Sequence, residues 1–329
     1  MAVNHSFSTD DYIKGVLNSD RMIIGRVITL IESNSPSHID KAQAVLRELL
    51  PHSGNSTRIG ITGMPGAGKS TFIDTLGCYL TGKGHKVAVM AVDPSSSITR
   101  GSILGDKTRM EKLAADPNAF IRPSPSGGIL GGVARKTRET MIIFEAAGYD
   151  ALIIETIGVG QNEITVRSMV DFILLLMIAG AGDELQGIKK GIIEIADAIV
   201  INKADGDNIT KALTARDDYN RALHYLSPSS DDWFTKAFTC SSITGDGVPD
   251  IWLVIEKFKD ITQKSGAWKK QRQFQARDWL HSLIEEHLHN LFRHHKGVNS
   301  ILSQVEADVI TGKLPVTTAA KMLIDKFEE

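Results

Sequence analysis

The stretch Arg58-Ile59-Gly60-Ile61-Thr62-Gly63-Met64-Pro65-Gly66-Ala67-Gly68-Lys69-Ser70-Thr71 decides the fold. Ile59–Thr62 reads as a short buried strand. Gly63, Met64, Pro65, Gly66, Ala67, Gly68, Lys69, Ser70 and Thr71 then match the spacing G-x-x-x-x-G-K-[S/T], with a helical pattern after them. Glycines let consecutive backbone N–H groups turn inward at a helix N-terminus, where an anion is favoured. That chemistry fits the β-phosphate of a nucleotide. Lys69 would neutralise charge on the β- and γ-phosphates, and the Ser70 hydroxyl would sit on Mg²⁺.

Working outward, the pattern of this strand recurs. Val87–Val92, Ala151–Glu155, Phe172–Ile178, Ala198–Asn202 and Ala237–Cys240 are near-continuous apolar runs separated by helical stretches. Continuous runs predict strands buried on both faces, and strand–helix alternation predicts a mainly parallel sheet. The fold class is therefore α/β, a P-loop NTPase with a helical extension before it and a helical arm after it. Residues 1–56 form the N-terminal extension, with apolar residues from Ile13 to Ile31 at helical spacing and Ser19 as an N-cap within that run. A second helix is expected from Ser37, with Ile39, Ala42, Val45, Leu46, Leu49 and Leu50 as its stripe. Residues 57–265 form the nucleotide domain. Residues 266–329 form the arm, opening with one long helix from Trp268 to His295 that Gly297 ends, then helices near Asn299–Ile310 and Thr317–Phe327. The apolar surplus on that long helix points to a dimer or partner contact.

In parallel sheets ligands bind beyond the carboxyl ends of the strands, and the polar motifs fall there. Asn202-Lys203-Ala204-Asp205 follows a strand. A carboxylate at Asp205 accepts from the N1–H and exocyclic amine of guanine, donors that adenine lacks, so the site selects GTP over ATP. Asn202 either contacts the base edge or braces the phosphate loop, and the Lys203 stem covers the ring. Ser241, Ser242 and Ile243 follow the next strand, where a backbone N–H reads the guanine carbonyl. Asp93, Asp106 and Glu155 are the candidate Mg²⁺ carboxylates beside Ser70. Gly158 offers an N–H to the γ-phosphate, but Val159 occupies the place where Ras-like enzymes carry a catalytic Gln.

Composition limits the alternatives. The 329 residues carry 37 basic and 39 acidic side chains, a formal net charge of −2. Such balance argues against nucleic acid as the main partner. The two cysteines, Cys78 and Cys240, form no disulfide framework and read as buried thiols of a reducing compartment. No apolar run approaches the roughly 20 residues of a membrane span. No leader is visible in MAVNHSFSTDD, so the expected location is cytoplasmic and no membrane partner is expected.

Together GMPGAGKST, VDPSSS, GDKTRM, ETIGVGQNE, AGDELQGIKKGI and NKAD resemble the methylmalonyl-CoA mutase-associated GTPases, the MeaB/ArgK type of the SIMIBI class. The resemblance covers nearly the whole chain. It implies a homodimeric, GTP-hydrolysing chaperone that binds an adenosylcobalamin-dependent acyl-CoA mutase, gates cofactor loading and protects the mutase. It implies Mg²⁺ with GTP or GDP and no organic cofactor of its own. The segment from Gly182 to Gly191 matches the family's third switch loop, so Asp183, Glu184, Gln186 and Lys189 would couple nucleotide to partner. Lys69, Glu155, Asp183 and Lys189 are then the catalytic candidates. Ser242 stands where the family often has Ala, and Asn162 where it often has Ser. Two other functions compete. One is a kinase acting on an amino-acid transport binding protein. The other is a metallochaperone GTPase, for which the histidines His281, His287, His289, His294 and His295 would have to hold metal; they read instead as solvated helix residues.

Overall fold

In chain order the elements are α1 (Thr9–Leu17), α2 (Arg21–Glu32), α3 (Pro36–Leu49), β1 (Thr57–Gly63), α4 (Lys69–Gly82), β2 (Val87–Val92), α5 (Glu111–Ala115), β3 (Ala119–Arg122), α6 (Leu130–Ala146), β4 (Ala151–Thr156), α7 (Asn162–Arg167), β5 (Phe172–Ile178), α8 (Lys190–Ile195), β6 (Ala198–Asn202), α9 (Ile209–Leu223), β7 (Lys236–Thr239), α10 (Val248–Ser265), α11 (Ala267–His294), α12 (Lys296–Ile310) and α13 (Val316–Glu328). They belong to a computed structural model that describes residues 7–33, 35–92, 110–122, 130–156, 162–180, 190–224 and 233–329. Asp93, Asp106, Gly158, Asp183, Glu184, Gln186 and Lys189 lie outside the described residues.

The strands make one seven-stranded sheet in the order β3-β2-β4-β1-β5-β6-β7, and every pairing is parallel. The α/β expectation therefore holds. β1 is central: Ile61 pairs with Glu155 on one side and Ile59 with Phe172 on the other. Side chains alternate across the pleat, so each strand feeds two cores. Ile59, Ile61, Ile153, Leu174 and Val200 pack with Phe72, Leu76, Trp252, Ile255 and Phe258. Leu152, Ile154, Ile173, Leu175 and Ile199 pack with Ile24, Val27, Ile28, Val45 and Phe144. Both faces are covered, which is why these strands read as unbroken apolar runs. β3 leaves no long apolar run in the sequence. It has four residues, half of them buried, too few for a periodic signal.

The N-terminal run breaks where one helix was expected to cap itself at Ser19. The cap is Asp20, whose carboxylate accepts from Met22 N at 2.9 Å and Ile23 N at 3.2 Å. Ser19 instead takes φ 57°, and its hydroxyl donates to Ala147 O at 2.5 Å. Leu50 falls in the turn after α3 and is exposed. Arg21 donates from one nitrogen to the carbonyls of Asp116, Pro117 and Ala119, covering the start of the edge strand β3.

Below the strand amino ends lies a buried ionic network. Glu145 accepts from Arg58 Nε at 2.8 Å, from Ser56 Oγ at 2.5 Å and from Gly54 N at 2.8 Å. Burial pushes its pKa up, but the Arg58 hydrogen bond and charge, with Ser56 and Gly54, outweigh this and hold it below the ordinary value. Arg272 grips Asp171 with two bonds of 2.7 Å and stacks on Trp268.

By contacts the chain divides into two compact units, Met1–Arg272 and Gln273–Glu329. In the second, α12 and α13 pack together over buried Val298, Val305 and Ala319, and the Phe327 ring meets Phe292 at 5.4 Å and His295 at 5.2 Å. α11 stops at His294, one residue early, because His295 is extended and serves as the α12 N-cap. Gly297 lies inside α12 rather than ending α11; a Cβ there would stand 3.0 Å from Lys326 O, so its smallness serves helix packing.

Candidate nucleotide site

The loop between β1 and α4 takes the shape its glycines permit. Gly63 has φ 150°, and a Cβ would lie 2.1 Å from the Leu176 carbonyl oxygen. Gly68 has φ 88°, and a Cβ would lie 2.7 Å from Asn202 Nδ2. Neither position accepts another residue without moving a strand or an amide. Lys69 Nζ donates to Gly63 O at 2.8 Å and Met64 O at 3.3 Å, which keeps the ammonium over the loop. Ser70 lies in the first turn of α4, and its hydroxyl donates to Glu155 Oε1 at 3.1 Å. Glu155 is buried at the end of β4, next to β1. One residue on, Thr156 Oγ1 donates to Thr62 Oγ1 at 2.9 Å, both buried, locking the two strand ends together.

Asn202 closes β6 and is buried. Its Nδ2 donates to Ala67 O at 2.8 Å, so of the two roles open in the sequence the structure displays the brace on the phosphate loop. Its Oδ1 accepts from Ser242 N at 3.1 Å, Ser242 Oγ at 2.8 Å and Cys240 Sγ at 3.4 Å. Burial raises the Cys240 thiol to about 12, so it stays a donor. Cys78, by contrast, is only half-buried. Lys203 takes φ 58°, a left-handed conformation costing a bulky residue about 1–2 kcal/mol. It is pinned by Asn208 Nδ2, which donates to Lys203 O at 2.7 Å, and by Ala204 N, which donates to Cys240 O at 3.0 Å. That kink leaves the Lys203 side chain exposed on the rim. Asp205 accepts from Ser241 Oγ at 2.5 Å, and Ser241 Oγ accepts from Thr244 N at 3.2 Å, which fixes the carboxylate. Ile243 is exposed beside it.

The phosphate loop, Glu155, Asn202, Asp205 and the 241–243 loop thus gather at the carboxyl ends of β1, β4, β6 and β7. Two contributors carried no signal in the sequence. Thr75 Oγ1 donates to Ser242 O at 2.7 Å, tying α4 to the second loop, and Thr62 is buried under the site. A hydroxyl facing a carboxylate suits a hard, oxygen-loving cation such as Mg²⁺. Among the described residues no group of three His, Cys, Asp or Glu side chains is placed to hold a metal, and four of the five arm histidines are exposed, His295 being half-buried.

A profile of the methylmalonyl-CoA mutase-associated GTPase MeaB matches residues 24–297. The chain belongs to this family. It is 50% identical over 94% of its length to a protein of Caulobacter vibrioides named a putative GTPase, and covers 94% of that protein. It is 49% identical over 84% of its length to the GTPase ArgK of Escherichia coli, again covering 84% of the relative. A solved structure titled LAO/AO transport system kinase superposes with a TM-score of 0.80 at 38% identity, covering 98% of both chains. The family is one of P-loop GTPases, and the chain is a GTPase of it. No helix among the described residues is long and apolar enough to cross a membrane.

Proposed function

We propose that this GTPase is a cytoplasmic chaperone of an adenosylcobalamin-dependent methylmalonyl-CoA mutase, and that GTP hydrolysis gates cofactor loading and protects the mutase. The observation that supports the reading is a phosphate loop braced through Asn202, in a chain whose family is described as mutase-associated. Lys69 holds the β- and γ-phosphates, Asp205 accepts from the guanine edge, and the Lys203 stem covers the ring. Ser70 and Glu155 would hold Mg²⁺, which when bound offsets phosphate charge. From the resemblance, Asp93 and Asp106 complete that set, Gly158 binds the γ-phosphate, and Asp183 and Lys189 act in hydrolysis once the mutase orders their loop.

The same reading makes residues 266–329 a dimerisation arm. Leu280, Ile284, Leu288 and Leu291 recur at three- and four-residue spacing along α11 and are all exposed in the single chain. A second copy laid against that stripe would bury it. The domain limits proposed are 1–56, 57–265 and 266–329.

Gel filtration of the chain with the mutase, in GDP and in a non-hydrolysable GTP analogue, tests the partnership. Co-elution in at least one nucleotide state is expected. Separate elution in both overturns it.

A further inference from the structure

Asn202 Oδ1 is buried and must keep a donor, since an unsatisfied buried acceptor is costly. Ser242 supplies two, its backbone N–H at 3.1 Å and its hydroxyl at 2.8 Å. Within this loop the Ser242 N–H, at the place where the family often has Ala, is also the group that the proposed site gives to the guanine carbonyl. It cannot serve the amide and the base at full strength together. The hydroxyl resolves the conflict, because it can hold Oδ1 alone while the N–H turns to the base. Without it, among the described residues only the Cys240 thiol at 3.4 Å remains, a weak donor.

We infer that the Ser242 hydroxyl is a positioning residue for guanine nucleotides, a stand-in donor that keeps Asn202 fixed on the phosphate loop when the Ser242 N–H is given to the base. Three bonds make the linkage continuous. Ser242 Oγ donates to Asn202 Oδ1, Asn202 Nδ2 donates to Ala67 O at 2.8 Å, and Thr75 Oγ1 donates to Ser242 O at 2.7 Å from the helix that opens with Lys69. Base recognition and phosphate grip are thereby joined through one side chain. The inference rests on the nucleotide site alone and is independent of the mutase partnership.

The test compares Ser242→Ala, Ser242→Thr, Asn202→Ala and the double variant Ser242→Ala/Asn202→Ala, reading GDP affinity with a fluorescent analogue and melting of the nucleotide-free protein. Ser242→Ala should weaken GDP about three- to tenfold, the worth of one buried hydrogen bond. Nucleotide-free melting should stay near that of the unmodified protein, because Oδ1 then retains the Ser242 N–H. Ser242→Thr keeps a hydroxyl and should restore affinity. In the Asn202→Ala background the Ser242→Ala change should add nothing. Unchanged GDP affinity in Ser242→Ala overturns the inference, as does a weakening that Thr does not rescue. So does an equal weakening with and without Asn202, or a loss of nucleotide-free stability that matches the loss of affinity.

Discussion

The Ser70 hydroxyl donates to Glu155 Oε1 across 3.1 Å, joining the first turn of α4 to the end of β4. Strand order explains the meeting, because β4 lies directly beside β1, from which the phosphate loop springs. A hydroxyl and a buried carboxylate at one point define the proposed Mg²⁺ position. Ser70→Ala should leave GDP binding in chelator nearly unchanged. It should cut the gain on adding Mg²⁺ about tenfold, since bonds to charged groups are worth about 1.5–3 kcal/mol. Titrating Mg²⁺ against GDP affinity reads this directly.

Asp205 is held by Ser241 Oγ at 2.5 Å with its carboxylate fixed. Asp205→Asn replaces an acceptor pair with a mixed amide and should weaken GDP about 100-fold, for two lost charge-assisted bonds. ATP binding, which never used the pair, should not change. Competition of GTP and ATP for both proteins checks it. Equal affinities in the unmodified chain contradict the assignment.

Glu145 makes stability depend on acid in a definite direction. Its folded pKa lies below the ordinary 4.5 because Arg58, Ser56 and Gly54 favour the charged form despite burial. As pH falls past 4.5 the unfolded chain takes the proton first, so the stabilisation is full above that value and is lost as pH falls through the lower folded pKa. Glu145→Gln should cost about 3 kcal/mol at neutral pH, because Arg58 is left largely buried without its partner. It should also flatten the acid limb of the stability profile. Urea melts from pH 3 to 7, a window spanning the usual carboxylate range of about 4, compare the two proteins.

The arm stripe gives an assembly prediction. Light scattering should find a dimer at full length. Leu288→Asp, on a residue exposed in the single chain, should give a folded monomer with GDP affinity intact. Arg272 belongs outside any truncation, because it anchors Asp171 at the base of β5. A monomeric unmodified chain refutes the arm's role.

Much of this was legible in sequence because burial on both sheet faces leaves continuous apolar runs, as in Phe172–Ile178, and because the phosphate loop needs glycine where a Cβ would strike Leu176 O or Asn202. What was not legible has physical reasons. β3 is a four-residue edge strand. Ser19 and Asp20 are both good caps by type, and only the backbone turn at Ser19 decides between them. Gly297 reads as a helix stop but serves the close approach of α12 to α13. Asn202 had two plausible partners, and choosing Ala67 required β6 beside β5 and the phosphate loop in place. Thr75 and Ser242 meet only through folding, since no spacing announces a bond between residues so far apart in the chain.

Phosphate release from labelled GTP, with and without an adenosylcobalamin-dependent methylmalonyl-CoA mutase, for the unmodified chain and Lys189→Ala, tests the proposal that a mutase completes a slow GTPase. Release should be slow without mutase, because Val159 stands where Ras-like enzymes carry the water-positioning Gln. It should rise clearly with mutase, and Lys189→Ala should lose that rise while keeping basal rate and GDP affinity. A rate indifferent to the mutase, or label passing stably to a protein acceptor, would contradict it.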